Sequence, residues 1–278
     1  MLLYVAFSEW MILPAGSMFW NLWAFYLPLL AGVYMLFDAS RKNKYDSKKI
    51  LGIIFISILV KILFSGFDLI TTILVMTSVP FIYFGIYQDW GGKLFLSRIT
   101  KLGIAMFAAI LSGVLILSVQ ITASAGNLTS AISHISGKIN QYTIVNPENN
   151  SQINATVDLN AFVIIRKELM AQAFAIHYQQ PTLHILFWHL LVIYFLFTLI
   201  YVLMRNPRGN LQLSRKAMAL IIATWYSLLA PLSWYIIFNV NSFFNPHIVA
   251  IAWQMPFTLL GFALCGFVIT DIFKRKDT

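Results

Sequence analysis

Seven stretches of nearly unbroken apolar sequence govern what this chain can become. They run from about Pro14 to Phe37, Ile50 to Gly66, from after the break Ser65-Gly66-Phe67-Asp68 to Tyr87, Leu102 to Ala123, Leu183 to Met204, Ala217 to Phe238 and Ile248 to Phe273. A helix needs about 20 such residues to cross roughly 30 Å of hydrocarbon. Each run is continuously apolar rather than alternating, which predicts helices and not a barrel. Only 10% of the residues are charged and 59% are hydrophobic, whereas a soluble domain carries roughly a quarter charged residues. The expected fold is an all-α, polytopic transmembrane helical bundle of about seven helices with one polar extracytoplasmic loop.

The charges that remain are clustered, and their distribution sets the threading. Arg41, Lys42, Lys44, Lys48 and Lys49 follow the first run. Lys93, Arg98 and Lys101 follow the third, Arg205, Arg208, Arg215 and Lys216 the fifth, and Lys274, Arg275 and Lys276 the seventh. These clusters all fall on one side of the membrane, and the other side has only Lys138, Arg166 and Lys167. Positive residues are retained in the cytoplasm, so the N-terminus is expected outside and the C-terminus inside a cell (inner) membrane. The net charge of +9 is accounted for by this retention and by anionic lipid headgroups, and no nucleic-acid partner is expected.

Three regions follow: 1–123 with four helices, 124–181 as the extracytoplasmic loop, and 182–278 with three helices and a basic tail. The loop is rich in Asn, Ser, Thr and Gln. Within it, Asp158 to Ala175 is expected to form an amphipathic helix, because Leu159, Phe162, Val163, Leu169 and Met170 recur at roughly helical spacing. Asn127, Asn149 and Asn154 each begin an Asn-x-Ser/Thr triplet, which matters only in a eukaryotic secretory compartment. The opening apolar residues lack a basic flank and meet Glu9, so they do not read as a cleavable signal peptide. The one cysteine, Cys265, lies inside an apolar run and is expected to serve packing.

Ionisable groups held in or near lipid are costly and are the first candidates for function. Lys61 lies within the second run, seven residues before Asp68, so the two share a helical face if the break at Gly66 is mild; a lysine there also reaches outer headgroups by snorkelling. Glu9 and Asp68 are the acids expected at outer helix ends, where an outward-facing enzyme keeps a general base. His177, His184, His189 and His247 fall near the same surface and His134 in the loop. Their spacing lacks the four-residue step that stacks two imidazoles on a metal, so no metal site is expected. No phosphate-cradling glycine loop or nucleophile elbow is present in the sequence, and no cofactor is implied.

Two stretches carry a resemblance. They are Lys61-Ile62-Leu63-Phe64-Ser65-Gly66-Phe67-Asp68-Leu69-Ile70-Thr71-Thr72, and Pro231-Leu232-Ser233-Trp234-Tyr235 through His247 to Trp253-Gln254-Met255-Pro256-Phe257. Together they resemble segments in the C-terminal half of uncharacterised bacterial polytopic proteins that are similar to C-type-fold membrane glycosyltransferases. In the second stretch Asn241 and Asn245 stand where those relatives tend to carry histidines, and His247 stays.

The resemblance implies a polyprenyl-phosphate-linked sugar as donor at the outer leaflet. Glu9, Asp68 and His247 would be the catalytic residues and Lys61 would bind substrate. Two other roles suit the same residues. A transporter would line its path with Lys61, Asp68 and the helix-breaking Pro80 and Pro231. A non-catalytic assembly partner would present its polar loop to another envelope protein.

Overall fold

The computed structural model describes residues 22–125, 127–143, 160–176, 183–205, 213–244 and 251–274. Among the described residues six helices are long and apolar enough to cross a membrane, within Trp23–Lys42, Ile70–Tyr87, Gly92–Ser124, Phe187–Met204, Arg215–Ile237 and Ile251–Lys274. In order, α1 is Leu22–Lys42, α2 Ser47–Ser65, α3 Ile70–Tyr87 and α4 Gly92–Ala125. Then come α5 (Leu128–Thr143), α6 (Ala161–Leu169), the strands β1 (Gln172–Ile176) and β2 (Leu183–Leu186), and α7 (Phe187–Met204). The remainder comprises α8 (Arg215–Ser227), α9 (Leu229–Ile237), α10 (Asn239–Phe244), a π-helical segment at Gln254–Thr258 and α11 (Leu259–Lys274). The chain is an integral, multi-pass membrane protein with an all-α spanning bundle.

The second apolar run is helical as expected, but its helix begins earlier, at Ser47, and takes in Lys48 and Lys49 as well as Lys61. It is held by neighbours rather than by apolarity alone, since α2 packs on α1 and α4. Successive passes alternate in direction. The described basic residues of the α1–α2 and α3–α4 turns, with Arg205, Arg215, Lys216 and Lys274, therefore lie at one end of the bundle, where Arg215 meets Asp89 and Arg205 meets Asp271, and the turn between α2 and α3 lies at the other with α5, α6 and the hairpin.

Buried and exposed residues are arranged as lipid requires. Along α4, Leu96, Ile104, Phe107, Leu111, Leu115 and Val119 are exposed, as are Phe195, Leu196, Leu199, Ile200 and Leu203 on α7. Continuous apolar faces of this length would be a liability in water and are the normal surface in hydrocarbon. The inward faces hold the polar side chains. Thr72 Oγ1 donates to the Ala230 carbonyl at 3.1 Å, Ser78 Oγ and Tyr226 Oη lie 2.7 Å apart, and Trp225 Nε1 donates to Thr198 Oγ1 at 3.1 Å. These bonds tie α3 to α8 and α9, and α8 to α7. Helix α3 is the axis of the bundle, packing on α1, α8 and α9.

Close approach between helices falls at small residues, the usual device where lipid gives no hydrophobic drive to associate. A Cβ at Gly261 would stand 2.1 Å from the Tyr194 ring, and one at Gly113 would stand 2.7 Å from Ile62. Tyr194 is fully buried there, and its hydroxyl donates to the Thr258 carbonyl at 3.2 Å. Glycine at 261 is thus what lets α7 and α11 meet.

Two parts of the polar segment differ from the sequence expectation. The amphipathic helix is shorter, Ala161–Leu169, because Gln172–Ile176 pairs antiparallel with Leu183–Leu186 instead of continuing it. The fifth run accordingly begins as a strand, and its helix starts only at Phe187. The basic loop expected before Leu102 is helical, since α4 begins at Gly92. The helix α5 was not expected; Asn127 Oδ1 accepts from Ser130 N at 2.7 Å and caps it.

Gly261→Ala is expected to lower the melting temperature of the purified protein in detergent, by an overpacking cost of about 1–3 kcal/mol. Gly266→Ala, where a Cβ meets open space, serves as the control and is expected to melt as the parent does.

Candidate functional site

The polar residue most conspicuously buried outside the spans is Glu168, only 2% exposed. Its position follows from local sequence. Asn160 caps α6, its side chain accepting from Phe162 N at 3.0 Å, and this fixes the phase of the helix. Ile164 and Glu168, four residues apart, then share the buried face. Phe162, Val163 and Met170, three residues of the stripe noted in the sequence, are exposed instead. Arg166 and Lys167 also point outward, and the Lys167 ammonium sits 5.1 Å from the Phe243 ring.

Helix α6 packs on α7, α9 and α10, so the carboxyl is driven under a lid of helix onto the end of the bundle. Glu168 Oε2 has no hydrogen-bond partner among the described residues. Burial pushes its carboxyl from the ordinary 4.5 up to about 7, against the smaller opposing effect of Lys167.

Its surroundings are aromatic. Tyr235, wholly buried on α9, interacts electrostatically with Glu168. The Tyr235 ring lies 5.9 Å from that of Trp253, which stacks at 5.7 Å on Phe187. The indole nitrogens of Trp234 and Trp253 are buried without acceptors among the described residues. Buried polar atoms are normally satisfied by protein or water. One open acceptor and two open donors on adjoining elements therefore mark a region suited to a bound polar guest.

The break in the last span borders this region. Between Gln254 and Thr258 the helix widens to a π turn, with a cis peptide at Met255–Pro256. Thr258 Oγ1 donates to the Trp253 carbonyl at 2.7 Å, satisfying a group that the break releases. Gln254, fully buried, reaches Ala173 of β1 at 3.4 Å. The hairpin is thereby tied to the interrupted helix.

The residues singled out from sequence fall as follows. Glu9 and His247 lie outside the described residues, as do His177, Asn149 and Asn154. Lys61 is completely buried within the protein. Its ammonium donates to the Gly66 carbonyl at 2.9 Å and to the Asp68 carbonyl, and it lies 4.9 Å from the Phe25 ring. The turn needs those donors because Gly66, at a φ of 61°, and Leu69, at 54°, leave the helical path. Lys61 and Asp68 are thus brought together, the ammonium donating to the Asp68 carbonyl and also feeling the charge of its carboxylate.

That pair sits on the α2–α3 turn, whereas Glu168 packs against α7, α9 and α10. His134 is exposed, His184 Nδ1 meets Gln172 Oε1 at 2.7 Å, and His189 Nδ1 accepts from Leu186 N at 3.0 Å at the start of α7. No three metal-ligating side chains converge among the described residues. Glu168 itself was missed because it follows Arg166-Lys167 in a polar stretch and looks like a solvated charge. Its only sequence signal is the four-residue step from Ile164.

No family model, curated protein or solved structure matches the chain.

A pH experiment follows from the burial of Glu168. Its folded carboxyl keeps a proton to higher pH than the unfolded chain does, so unfolding releases that proton between about pH 4.5 and 7. Stability contributed by the neutral acid is full below that window, falls as pH rises through it and is flat above. Glu168→Gln, neutral at every pH, is expected to melt higher than the parent at pH 8 and no lower at pH 4.5. Parallel melting curves of the two proteins across this range would show that the carboxyl is not buried as described.

Proposed function

We propose that the chain belongs to the cell (inner) membrane, with its N-terminus outside and its C-terminus cytoplasmic, and that it transfers sugar from a polyprenyl-phosphate donor at the outer leaflet. The reading keeps the likeness to C-type-fold membrane glycosyltransferases and moves the general base to Glu168. The observation that carries it is that carboxyl, buried with its Oε2 unbonded among the described residues and brought to about 7. A base with that value is substantially ionised at neutral pH and still takes up a proton readily. It lies at the end of the bundle opposite the basic clusters, which positive-inside retention assigns to the exterior.

In this scheme the acceptor hydroxyl gives its proton to Glu168 as its oxygen attacks the anomeric carbon. The bond from that carbon to the donor phosphate breaks, and the polyprenyl phosphate leaves with the electron pair. The indole N–H groups of Trp234 and Trp253 are suited to sugar oxygens, and the Tyr235 and Trp253 rings to the apolar face of a sugar. Lys61 supports the reading through the α2–α3 turn, where it holds the backbone that presents Asp68. Glu9 and His247 remain candidates for the same surface.

A transporter is favoured by a separate observation, the interruption of the last span at Gln254–Thr258, since broken helices at a buried polar site are typical of substrate paths. The two readings part experimentally. Glu168→Gln is expected to lower formation of the envelope glycan by about a hundredfold or more, with solute uptake unchanged. Asp68→Asn and His247→Ala, assayed alongside, report on the other carboxylate and the histidine. Intact glycan in all three variants removes the transferase, and lost uptake with intact glycan installs the transporter. A tag placed within 144–159 should be reached by an impermeant label from outside the cell; labelling only after permeabilisation would reverse the threading.

A further inference from the structure

We infer that the basic end of the bundle holds a built site for a phosphate-bearing anion, of the kind carried by an anionic phospholipid headgroup. The inference is independent of the proposed transfer reaction, because it concerns the opposite end of the molecule. There a cavity of about 530 Å³ opens between the α1–α2 and α3–α4 turns, lined by Asn43, Lys44, Tyr45, Gln88, Trp90 and Arg98 among others. That volume suits a phosphodiester headgroup with its glycerol.

The centre of the site is Arg98, on the first turns of α4. Its guanidinium lies 3.6 Å from the Tyr45 ring centroid and 4.0 Å from that of Trp90. The two rings meet edge to face at 5.8 Å and form a corner. With the rings at 75° to each other the guanidinium can lie flat on only one of them, and it is the N–H donors turned away from the second ring that suit binding of phosphate. Among the described residues Arg98 makes no hydrogen bond to an acceptor, and its Nε is left open. Arg98 Nε is buried with no hydrogen-bond partner, and no carboxylate pairs with Arg98 among the described residues. Asp89, which also lines the cavity, is engaged by Arg215 at 2.7 Å.

The site is held by a stiff turn. Gln88 N, Asp89 N and Trp90 N donate to the carbonyls of Phe84, Ile86 and Gly85 at 2.9, 3.2 and 2.9 Å. Trp90 Nε1 donates to Gln88 Oε1 at 2.8 Å, which fixes the indole. Gly85 lets Phe95 close over this turn, since a Cβ there would stand 2.6 Å from that ring. Lys44 adds an exposed ammonium and is shared with a neighbouring cavity of about 210 Å³ that Lys42 and Lys49 also line. A basic pocket between helix ends at a membrane surface is the recurring form of an anionic-headgroup site.

The test is native mass spectrometry of the full chain in detergent, offered phosphatidylglycerol and phosphatidylcholine together. The parent is expected to retain phosphatidylglycerol in preference. Each basic residue near such a surface is worth roughly fivefold in binding, so Lys44→Gln should reduce the preference about that much and Arg98→Gln further. Arg98→Lys, which keeps the charge and loses the fork, should fall between parent and Arg98→Gln.

Lys101→Gln, further along α4, should change nothing, and Lys44→Gln tests the site even if loss of the stacked arginine impairs folding. Displacement of phosphatidylglycerol by millimolar inorganic phosphate would assign recognition to the phosphate itself, and retention against it would assign it to the whole headgroup. Equal retention of the two lipids by the parent, or a preference unchanged in both Lys44→Gln and Arg98→Gln, overturns the inference.

Discussion

Hydrocarbon offers no hydrogen-bond partner, so every peptide group that leaves a helix inside the bundle must be met by the protein itself. This requirement organises the chain more than any single contact does. At the α2–α3 turn the released carbonyls of Gly66 and Asp68 are met by the Lys61 ammonium. At the π segment the Trp253 carbonyl is met by Thr258 Oγ1 and the Thr258 carbonyl by Tyr194 Oη. A charged side chain, a hydroxyl and a phenol thus serve one end. Their cost in lipid is offset by the backbone groups they satisfy.

The same requirement explains how far the sequence could be read. Spanning helices are legible because apolarity must persist for the whole width of the membrane, and no tertiary contact can substitute for it. Accordingly, all seven runs contain helix where the structure describes them. Boundaries were less legible, since Lys93, Arg98 and Lys101 look like a loop but lie on the water-facing turns of α4, whose helix extends beyond the lipid.

The polar segment was hardest. Leu183–Leu186 is as apolar as the helix it precedes, and only its pairing with Gln172–Ile176 makes it a strand. Such pairing is a contact between distant residues and leaves no local period.

Functional residues divide along the same line. Lys61 stood out because a charge within an apolar run is anomalous, although its use in the turn depends on where Gly66 sends the backbone. Glu168 did not stand out because charges are ordinary in a polar segment, and its burial arises only when α6 is pressed onto α9 and α10. Arg98 is similar: a basic residue beside others, whose distinction is the ring pair of Tyr45 and Trp90 brought from two different turns. Retention of positive charge places such residues at one end of the molecule. Tertiary packing then decides which of them becomes a receptor.

The hairpin adds a mechanical consequence. Strand β2 runs without a linker into α7, and Phe187 N donates to the Ala171 carbonyl at 3.1 Å, while Gln254 joins β1 to the interrupted last helix. The hairpin is therefore no free flap: it is anchored at once to the first turn of α7 and to the π segment, so whatever displaces it must strain both.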